Sequence, residues 1–412
     1  MQGITLLENK RIVLGVTGSI AVYKAVDLAS KLTQAGALVD VIITEAAQQF
    51  VTPLTFQSVT GRAVHTDLWQ SAAGSNLPIH IAHVGLAEGA DLLIIAPATA
   101  NTLAKLAHGF ADDMLSITAL AARCPVLVAP AMDGGMYAHP ATQANLNTLA
   151  SRGITILPPE EGRFASGLVG QGRLPETQTL MGAVRSLLGQ AGVLQGRHIV
   201  VTAGGTREAL DPVRFLTNRS SGKQGYALAQ AALDAGARVT LISAAHLETP
   251  YGVHLVPVDC AQAMQTAVLE HSATADALIM AAAVADFRPA SISEHKIKKS
   301  NALTLQLEKN PDILLSVAER RRETKLPRVV VGFAAESQNL VAYAREKLER
   351  KGLDILVAND ISATDAGFEV DTNRVLIFDQ GSIEPQELGD TKAAISEAIV
   401  QRIAILLNGI QG

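Results

Sequence analysis

The 412-residue sequence has few cysteines, few aromatic residues and no large excess of charge of either sign. Its two cysteines, Cys124 and Cys260, lie far apart in sequence, which excludes a disulfide framework and indicates a reducing compartment. The formal net charge is -5 and the pI is about 6.1. Because no stretch rich in lysine and arginine outweighs the acidic residues, nucleic acid is not an expected partner.

Long apolar segments are also missing. No uncharged apolar run reaches the roughly 18 residues that a membrane-spanning helix needs, and the N-terminus MQGITLLENKR lacks the pattern of a secretory signal. We therefore expect a cytoplasmic protein without membrane association. The chain does contain 48% hydrophobic and 18% charged residues, which is typical of a well-buried α/β protein that binds small molecules.

A succession of strand, glycine loop, helix and strand occurs twice along the chain. The first begins with RIVLGVTGS at residue 11 and continues to LVDVIIT at residue 38, and the second begins with RHIVVTAGGT at residue 197 and continues to RVTLIS at residue 238. Apolar strands of this kind pair in parallel and are covered on both faces. Further strands are predicted at residues 91–97, 125–130, 154–159, 276–287, 328–336 and 354–360, and a helix at residues 226–237.

These patterns predict the α/β class, with two tandem doubly wound, Rossmann-like domains. We place the boundary in the segment GQAGVLQGR, where glycine and glutamine separate a helix from a strand, so that the domains are residues 1–188 and 189–412.

The segment GGTREALDPVRFLTNRSSGKQG, residues 204–225, follows a predicted strand and has the composition of an anion site. Glycine amides, the hydroxyls of Ser220 and Ser221 and the guanidinium of Arg214 are groups that bind phosphate. Taken singly, the glycines and serines fit ordinary turns equally well, and the arginines favour the anion site. The segment is neither GxGxxG nor a P-loop, since Thr217 stands where a P-loop needs glycine, so a nicotinamide-dependent dehydrogenase is disfavoured.

Two later segments add charged groups at strand ends. AAAVADFRP ends an apolar run with Asp286, a suitable oxygen ligand for Mg²⁺ on a triphosphate. HKIKKSN and EKNPDIL then place Lys296, Lys298, Lys299 and Lys309 in loops. A lysine cluster is more often a solvated surface, but the neighbouring Asp286 favours a binding site.

In order and spacing, these motifs, together with VGFAAE and REKLERK, closely resemble the phosphopantothenate–cysteine ligase half of bifunctional coenzyme A biosynthesis proteins. The resemblance covers residues 190–400. It implies that CTP activates the carboxylate of 4'-phosphopantothenate as an acyl cytidylate, which cysteine then attacks, with Mg²⁺ or Mn²⁺ held by Asp286. Asn218 would hold the acyl cytidylate, and Arg214 and Lys296 would assist catalysis. The resemblance assigns CTP contacts to Gly205, Thr206, Ser220, Ser221, Gly222, Met280, Ala281, Ala282, Asp286, Lys296, Pro311, Asp312, Ile313, Leu314, Phe333, Lys347 and Lys351.

In the N-terminal half, GVTGSIAVYK, TEAAQQFVTP, HIAHVGLAEGADLLIIAPATANTLAKLAHGFADDMLS and PAMDGGMYAHP resemble the flavin-dependent cysteine decarboxylases. This resemblance implies a flavodoxin-like flavoprotein domain that uses FMN to decarboxylate 4'-phosphopantothenoylcysteine to 4'-phosphopantetheine. His83 matches the active-site histidine and would orient the substrate carboxylate or move its proton. The implied FMN contacts are Gly18, Ser19, Ile20, Thr44, Thr99, Asn101 and Met136.

Two positions depart from the decarboxylase pattern. Asp133 replaces an asparagine that binds the substrate carboxylate, so it is either protonated, turned away or bound to something else. Ser166 replaces a cysteine on a flap, and neither cysteine of this chain matches that position, so we expect water or another acid to supply the final proton. Both are candidate catalytic positions.

These departures leave a second hypothesis open, in which the chain is a ligase only and its N-terminal half is a non-catalytic, flavin-binding assembly domain. The histidine at position 83 argues against it. The resemblance also implies a homo-oligomer, with trimeric contacts of the N-terminal half and dimeric contacts of the C-terminal half that close into a dodecamer.

Overall fold

The structure is a computed structural model that describes residues 5–69, 82–163, 167–298, 303–336, 340–360, 372–380 and 384–409. Its contacts divide the chain into two compact units, Met1–Leu188 and Gly189–Gly412.

The N-terminal unit is built on a parallel sheet in the order β3–β2–β1–β4–β5–β6. Its strands are β1 (Arg11–Val16), β2 (Leu38–Ile43), β3 (Val64–His65), β4 (Leu92–Ala98), β5 (Val126–Pro130) and β6 (Thr155–Ile156), and a separate antiparallel hairpin is formed by β7 (Glu160–Arg163) and β8 (Val169–Arg173). After a short 3₁₀ turn, Thr5–Leu7, the helices are α1 (Val22–Gln34), α2 (Glu45–Gln48), α3 (Pro53–Thr60), α4 (Ala82–Glu88), α5 (Ala100–His108), α6 (Met114–Ala121), α7 (Gly134–Ala138), α8 (Pro140–Ser151) and α9 (Thr177–Gly189).

The C-terminal unit is built on a larger mixed sheet in the order β13–β12–β9–β14–β17–β18–β19–β20, in which β19 runs antiparallel to both of its neighbours, β18 and β20, and the other pairs are parallel. Its strands are β9 (His198–Ala203), β12 (Arg238–Ser243), β13 (His254–Pro257), β14 (Ala277–Met280), β17 (Val329–Glu336), β18 (Ile355–Asp360), β19 (Thr372–Asp379) and β20 (Gln386–Thr391). Two small hairpins pair β10 (Arg207–Ala209) with β11 (Phe215–Thr217) and β15 (Phe287–Pro289) with β16 (Leu307–Lys309). The helices are α10 (Lys223–Asp234), α11 (Ala261–Ser272), α12 (Ile313–Thr324), α13 (Leu340–Arg350) and α14 (Lys392–Gly409).

Each sheet is covered on both faces, as its apolar strands require. In the N-terminal unit, α1, α3 and α9 pack in one hydrophobic cluster, and α4, α5, α6 and α8 pack in another. In the C-terminal unit, α10 and α14 share one cluster, and α11, α12 and α13 share the other. The carboxyl edges of the parallel strands are therefore left as the surfaces on which loops can form a site.

An aspartate that directly precedes a strand fixes the register of neighbouring parallel strands at three places. Asp91, Asp276 and Asp354 each accept a hydrogen bond from a backbone N–H of the adjacent strand, at 2.8, 2.9 and 2.7 Å. Each carboxylate is also paired with a lysine or arginine. These contacts all lie at the amino edge of the sheets, opposite the edge where ligands of such folds bind.

The predicted α/β class with two doubly wound units is confirmed. The order 3-2-1-4-5-6 of the N-terminal sheet is the Rossmann order, so this unit shares its layers but not its strand order with flavodoxin. The strand predicted at residues 276–287 is shorter, because β14 ends at Met280 and the chain then leaves the sheet. The helix predicted at residues 226–237 begins three residues earlier, at Lys223.

Candidate active sites

The central strands β9 and β14 of the C-terminal sheet end side by side, and hydrogen bonds join the loops that follow them. Gly205 and Ala283 form an isolated parallel bridge beyond the strands. The Thr206 hydroxyl accepts from the Ala285 N–H at 2.9 Å, and the Thr206 N–H donates to the Ala283 carbonyl at 3.3 Å. Since β12 and β14 lie on opposite sides of β9, the strand order reverses here, which is where open α/β sheets bind ligands.

The glycine-rich loop that follows β11 leads into α10 at the same edge. The Asn218 side-chain amide donates to the Val284 carbonyl at 3.2 Å and so crosses to the loop after β14. Gly225, in the first turn of α10, lies against β9, and a Cβ added there would be 2.5 Å from the Ala203 Cβ and 2.8 Å from the Thr202 carbonyl oxygen. A glycine at this position therefore allows α10 to begin directly beside the end of β9.

A cavity of about 550 Å³ lies at this edge, which is a size typical of small-molecule sites. The structure brings most of the predicted ligase residues together around it. The predicted residues that line it are Asn218, Ser220, Ser221, Gly222, Met280, Ala281, Ala282, Asp286, Pro311, Asp312, Ile313, Leu314, Phe333, Lys347 and Lys351.

Four predicted ligase residues, Gly205, Thr206, Arg214 and Lys296, do not belong to the lining of this cavity. The first two form the junction between the loops after β9 and β14, described above. Arg214 and the exposed Lys296 lie in two loops that are tied to each other. No contact in the described structure tests the catalytic roles assigned to them, which stay predictions.

The tie between those loops is made by Asp211. Its carboxylate accepts from the Arg214 guanidinium at 2.6 Å and from the Ile297 N–H at 3.1 Å, and Arg214 also donates to the Ile297 carbonyl at 2.9 Å. The hydrogen bond from Arg214 lowers the pKa of Asp211 far below its ordinary value, although burial opposes this shift. Both polar backbone groups of Ile297 are thus clamped next to Lys296.

The lining also contains polar residues that were not predicted as ligands. They include Lys223, Lys309, Asn359, Asn373 and Lys392. The side-chain oxygen of Asn359 is buried and has no hydrogen-bond partner in the described part of the chain. Lys309 and Lys223 lie in motifs of the sequence, KNPDI and the segment 204–225. Asn359, Asn373 and Lys392 come from β18, β19 and α14, which carry no recognisable motif.

The charges that line the cavity favour an anionic ligand. Among the described residues, six basic side chains and two carboxylates face it. One carboxylate, Asp312, is paired with Lys351 at 3.1 Å, and the Lys347 ammonium donates to the Phe333 carbonyl at 3.4 Å. Burial raises the pKa of Asp312, but the hydrogen bond and the charge of Lys351 outweigh it, so that the net pKa is below its ordinary value.

A second candidate site lies at the carboxyl edge of the N-terminal sheet, where β1 and β4 end. The Thr17 hydroxyl donates to the Pro97 carbonyl at 2.7 Å and accepts from the Thr99 N–H at 3.0 Å, so it joins the two loops. Thr99 in turn caps α5, accepting from the Thr102 N–H at 3.3 Å. The strand order reverses between β1 and β4, as it does in the C-terminal unit.

The remaining predicted FMN residues surround this edge. Gly18 lies so close to α2 that an added Cβ would be 2.7 Å from the Ala46 Cβ, and Thr44 caps that helix. The Ile20 side chain, in the loop after β1, is 63% exposed, and the Met136 side chain, in α7 after β5, is 52% exposed. The other predicted contacts here are Ser19, in the loop before α1, and the exposed Asn101, in the first turn of α5.

Asp133 caps α7, and its carboxylate accepts from the Gly135 N–H at 3.1 Å. The sequence left three alternatives for Asp133: protonated, turned away from the substrate, or bound to something else. The observed contact agrees with the second, since the side chain points to its own helix. The Met132 N–H donates to the Gly172 carbonyl at 2.9 Å, which joins this loop to the β7–β8 hairpin. Ser166 belongs to the segment 164–166, outside the described residues, so its predicted position is not tested.

His83 is the second residue of α4 and is half-buried. Because α4 leads into the amino end of β4, its first turn lies toward the carboxyl edge, where the other predicted residues are found. Cys124 lies just before β5, at the amino edge, and burial raises the pKa of its thiol. It therefore lies at the edge of the sheet opposite to the predicted FMN residues.

No helix in the described ranges is long and apolar enough to span a membrane. Those same ranges contain no cluster of three or more histidine, cysteine, aspartate or glutamate side chains suited to a metal ion.

Comparison with known proteins identifies both units. The family model "Flavoprotein" matches residues 4–189, and the model "DNA/pantothenate metabolism flavoprotein C-terminal domain" matches residues 194–406. The coenzyme A biosynthesis bifunctional protein CoaBC of Bacillus subtilis (strain 168) is 47% identical over 406 residues, which cover 97% of this chain and 98% of that protein. The chain belongs to the CoaBC family.

A second CoaBC relative agrees with this assignment, and two solved structures resemble one unit each. The CoaBC protein of Vibrio vulnificus (strain YJ016) is 44% identical over 405 residues, covering 97% of this chain and 99% of that protein. A solved C-terminal domain of a CoaBC protein is 35% identical, covering 53% of this chain and all of that chain, with a TM-score of 0.44. The FMN-dependent cysteine decarboxylase SpaF is 34% identical, covering 44% of this chain and 97% of that chain, with a TM-score of 0.36.

The family predicted from the motifs is thereby confirmed. As a CoaBC protein, the chain is a bifunctional enzyme of coenzyme A biosynthesis, with ligase and decarboxylase activities. The expectation of a flavin is confirmed at the level of the flavoprotein family.

Proposed function

We propose that the C-terminal unit joins 4'-phosphopantothenate to cysteine at the expense of CTP, and that the N-terminal unit decarboxylates the product with FMN. For the ligase, the observation that carries the proposal is the cavity at the β9–β14 edge, where six basic side chains and two carboxylates converge. CTP and 4'-phosphopantothenate are both polyanions, and a site with this charge lowers the cost of bringing them together.

The nucleotide would lie against the start of α12 and the C-terminal end of α13, where Lys347 and the following Lys351 lie. A carboxylate oxygen of 4'-phosphopantothenate attacks the α-phosphate of CTP, and pyrophosphate leaves. The amine of cysteine then attacks the acyl carbon, and CMP leaves. Asn218, which bridges to the loop after β14, would hold the mixed anhydride, and the surrounding cations would stabilise the charge that develops on phosphate and leaving group.

A divalent cation fits this site in one way. The described residues hold no cluster that would bind a metal on its own, but Mg²⁺ commonly binds through one or two carboxylates together with substrate phosphates. Asp286 lines the cavity and is suited to be such a ligand. We propose that Mg²⁺, or Mn²⁺, enters with the triphosphate and neutralises part of its charge.

The ligase proposal is tested with the purified full-length chain. We expect pyrophosphate release that depends on CTP and on 4'-phosphopantothenate together, and formation of the cysteine amide, detected by mass spectrometry. Omission of cysteine should leave a single turnover of acyl cytidylate. A chain that binds no CTP and releases no pyrophosphate under these conditions contradicts the proposal.

The loops at the β1–β4 edge are suited to FMN. The donor set consists of loop amides at residues 18–20 and the hydroxyls of Thr44 and Thr99, which match a phosphate and a polar ring edge, and Ile20 and Met136 offer exposed apolar surface to a flavin ring. FMN, when bound, supplies a hydride acceptor. His83 would orient the substrate carboxylate or move its proton, and Asp133 would keep the α7 loop in place.

The alternative hypothesis, a ligase with a non-catalytic N-terminal assembly domain, rests on Asp133 and Ser166. Measurement of CO₂ release from 4'-phosphopantothenoylcysteine separates the two. Stoichiometric FMN with no CO₂ release would support the alternative, and catalytic CO₂ release would exclude it.

We further propose a cytoplasmic homo-oligomer, a dodecamer assembled through trimeric contacts of the N-terminal unit and dimeric contacts of the C-terminal unit. Light scattering on the full-length chain gives the number of subunits directly.

A further inference from the structure

A second cavity, of about 360 Å³, adjoins the ligase cavity. Lys223 and Lys392 line both cavities, so the two spaces meet at this pair of lysines. The rest of the second cavity is formed by α10, the loop after β12, the end of β20 and the start of α14. Its remaining lining residues are Tyr226, Ala227, Leu247, Glu248, Thr391 and Ala393.

Lys392 is buried to an unusual degree for a lysine. Its relative exposure is 6%, and lysines are almost never fully buried. A lysine that is buried to this extent and still borders two cavities is positioned to contact a ligand in either of them.

The position of Lys392 is fixed by contacts between α10 and α14. The Gln224 side-chain amide donates to the Lys392 carbonyl at 3.4 Å and to the Ser396 hydroxyl at 2.9 Å. Ser396 is fully buried and donates to the Lys392 carbonyl at 2.6 Å. Lys223 directly precedes Gln224, so the packed contact between α10 and α14 fixes the backbone positions of both lysines.

The charges around the junction favour an anion. Glu248 is the carboxylate that faces the second cavity among the described residues. In the ligase cavity, Asp312 is already paired with Lys351, at the far side of the sheet edge. Because α10 and α14 cover one face of the sheet and α12 and α13 cover the other, the two lysines lie opposite the place proposed for the nucleoside.

We infer that Lys223 and Lys392 bind a phosphate group of a ligase substrate where the two cavities meet. This inference rests on the proposed ligase function. It gives a binding role to two residues to which the family resemblance assigned none. The phosphate has two sources, the phosphomonoester of 4'-phosphopantothenate or the terminal phosphates of CTP. A phosphate here would receive charge-assisted hydrogen bonds from both ammonium groups.

The test compares Lys392→Met and Lys223→Met with the wild-type full-length chain by calorimetric titration of CTP, 4'-phosphopantothenate and pantothenate. Loss of one charge-assisted contact predicts an affinity about 10- to 100-fold lower for the phosphate-bearing substrate concerned. If the acid is the source, only 4'-phosphopantothenate weakens and its preference over pantothenate shrinks. If the nucleotide is the source, CTP weakens and CMP does not.

Lys325→Met is the matched control, since Lys325 is an exposed lysine of the same unit that lies outside both cavities. Should Lys392→Met fail to fold, as judged by circular dichroism, Lys223→Met carries the test, because Lys223 is less buried. Lys392→Arg keeps the charge and should therefore retain the affinity. Folded Lys223→Met or Lys392→Met variants that bind both substrates within twofold of wild type overturn the inference. Failure of the wild-type chain to release pyrophosphate would instead refute the proposed function, since binding is read separately from turnover.

Discussion

The contact between Gly225 and β9 leads to a specific prediction for Gly225→Ala. The added Cβ would lie 2.5 Å from the Ala203 Cβ and 2.8 Å from the Thr202 carbonyl oxygen. Non-bonded carbon atoms prefer a separation of at least about 3.5 Å, so the first turn of α10 would have to withdraw by about 1 Å. The loop with Ser220 and Ser221 leads into that turn and would be displaced with it.

The energetic cost follows from the atoms that the new methyl group meets. They include strand backbone, which cannot rotate away, so we take the upper end of the range for overpacking, about 3 kcal/mol. Alanine in place of glycine in a helix gains about 1 kcal/mol in return. The net destabilisation of about 2 kcal/mol corresponds to a melting temperature about 4–8 °C lower for a unit of this size.

Calorimetric melting and the rate of pyrophosphate release measure the two consequences. Misplacement of binding groups by about 1 Å costs about 100-fold in turnover, so activity should fall further than stability alone explains. Gly389→Ala is the control: that glycine lies in β20, and its added Cβ would meet only the Arg374 Nε, at 4.0 Å. If Gly225→Ala melts and turns over like wild type, the close approach of α10 to β9 does not position the site.

Three further predictions concern side chains whose contacts are defined. Asp133→Asn should keep the helix cap and the melting temperature, whereas Asp133→Ala should lose about 1 kcal/mol of stability; loss of CO₂ release in Asp133→Asn would show that the carboxylate itself is needed. Lys24 is 3% exposed and donates to the Leu174 carbonyl at 2.7 Å and to Glu176 at 2.9 Å, so Lys24→Met should cost about 1–3 kcal/mol at pH 7 in urea unfolding. The hydrogen bond from Lys24 lowers the pKa of Glu176. The pair therefore stabilises the fold above the ordinary carboxylate pKa, and this stabilisation is lost as the pH falls through the lowered pKa. The difference in the free energy of unfolding between Lys24→Met and wild type should accordingly become smaller in acid, and a difference that does not change with pH would contradict this. Asp211→Asn should release the clamp beside Lys296 and lower the ligase kcat by about tenfold or more with little change in CTP affinity; an unchanged kcat would show that this loop has no part in turnover.

The parallel core of each unit was predictable because its strands are nearly continuous apolar runs, such as RIVLGV in β1 and RVTLIS in β12. The short hairpins were not, since three-residue strands such as β15 are too brief to show a period. The antiparallel strand β19 does alternate between buried and exposed positions, and its sequence TNRVLIFD shows this pattern only weakly. The prediction therefore ended the sheet at β18.

The candidate ligase site was predictable where one motif carries several of its residues. The segments at 218–222, 280–286 and 311–314 all line the cavity, and their roles in binding stay predictions. Lys392 and Asn373 were missed because each is a single polar residue in an otherwise ordinary segment. Asn373 reaches the cavity through the antiparallel strand β19 and Lys392 through the final helix α14, neither of which a local pattern in the sequence indicates.

The ligase cavity spans an edge at which two separate hydrophobic clusters end, one beneath α10 and α14 and the other beneath α12 and α13. In the absence of a ligand these helices are linked mainly through the intervening strands. A ligand that contacts both pairs of helices would link them directly and restrict their motion relative to each other. Amide hydrogen exchange in α10 and α12 should then slow in parallel when substrate is added, although the two helices share no contact surface in either cluster.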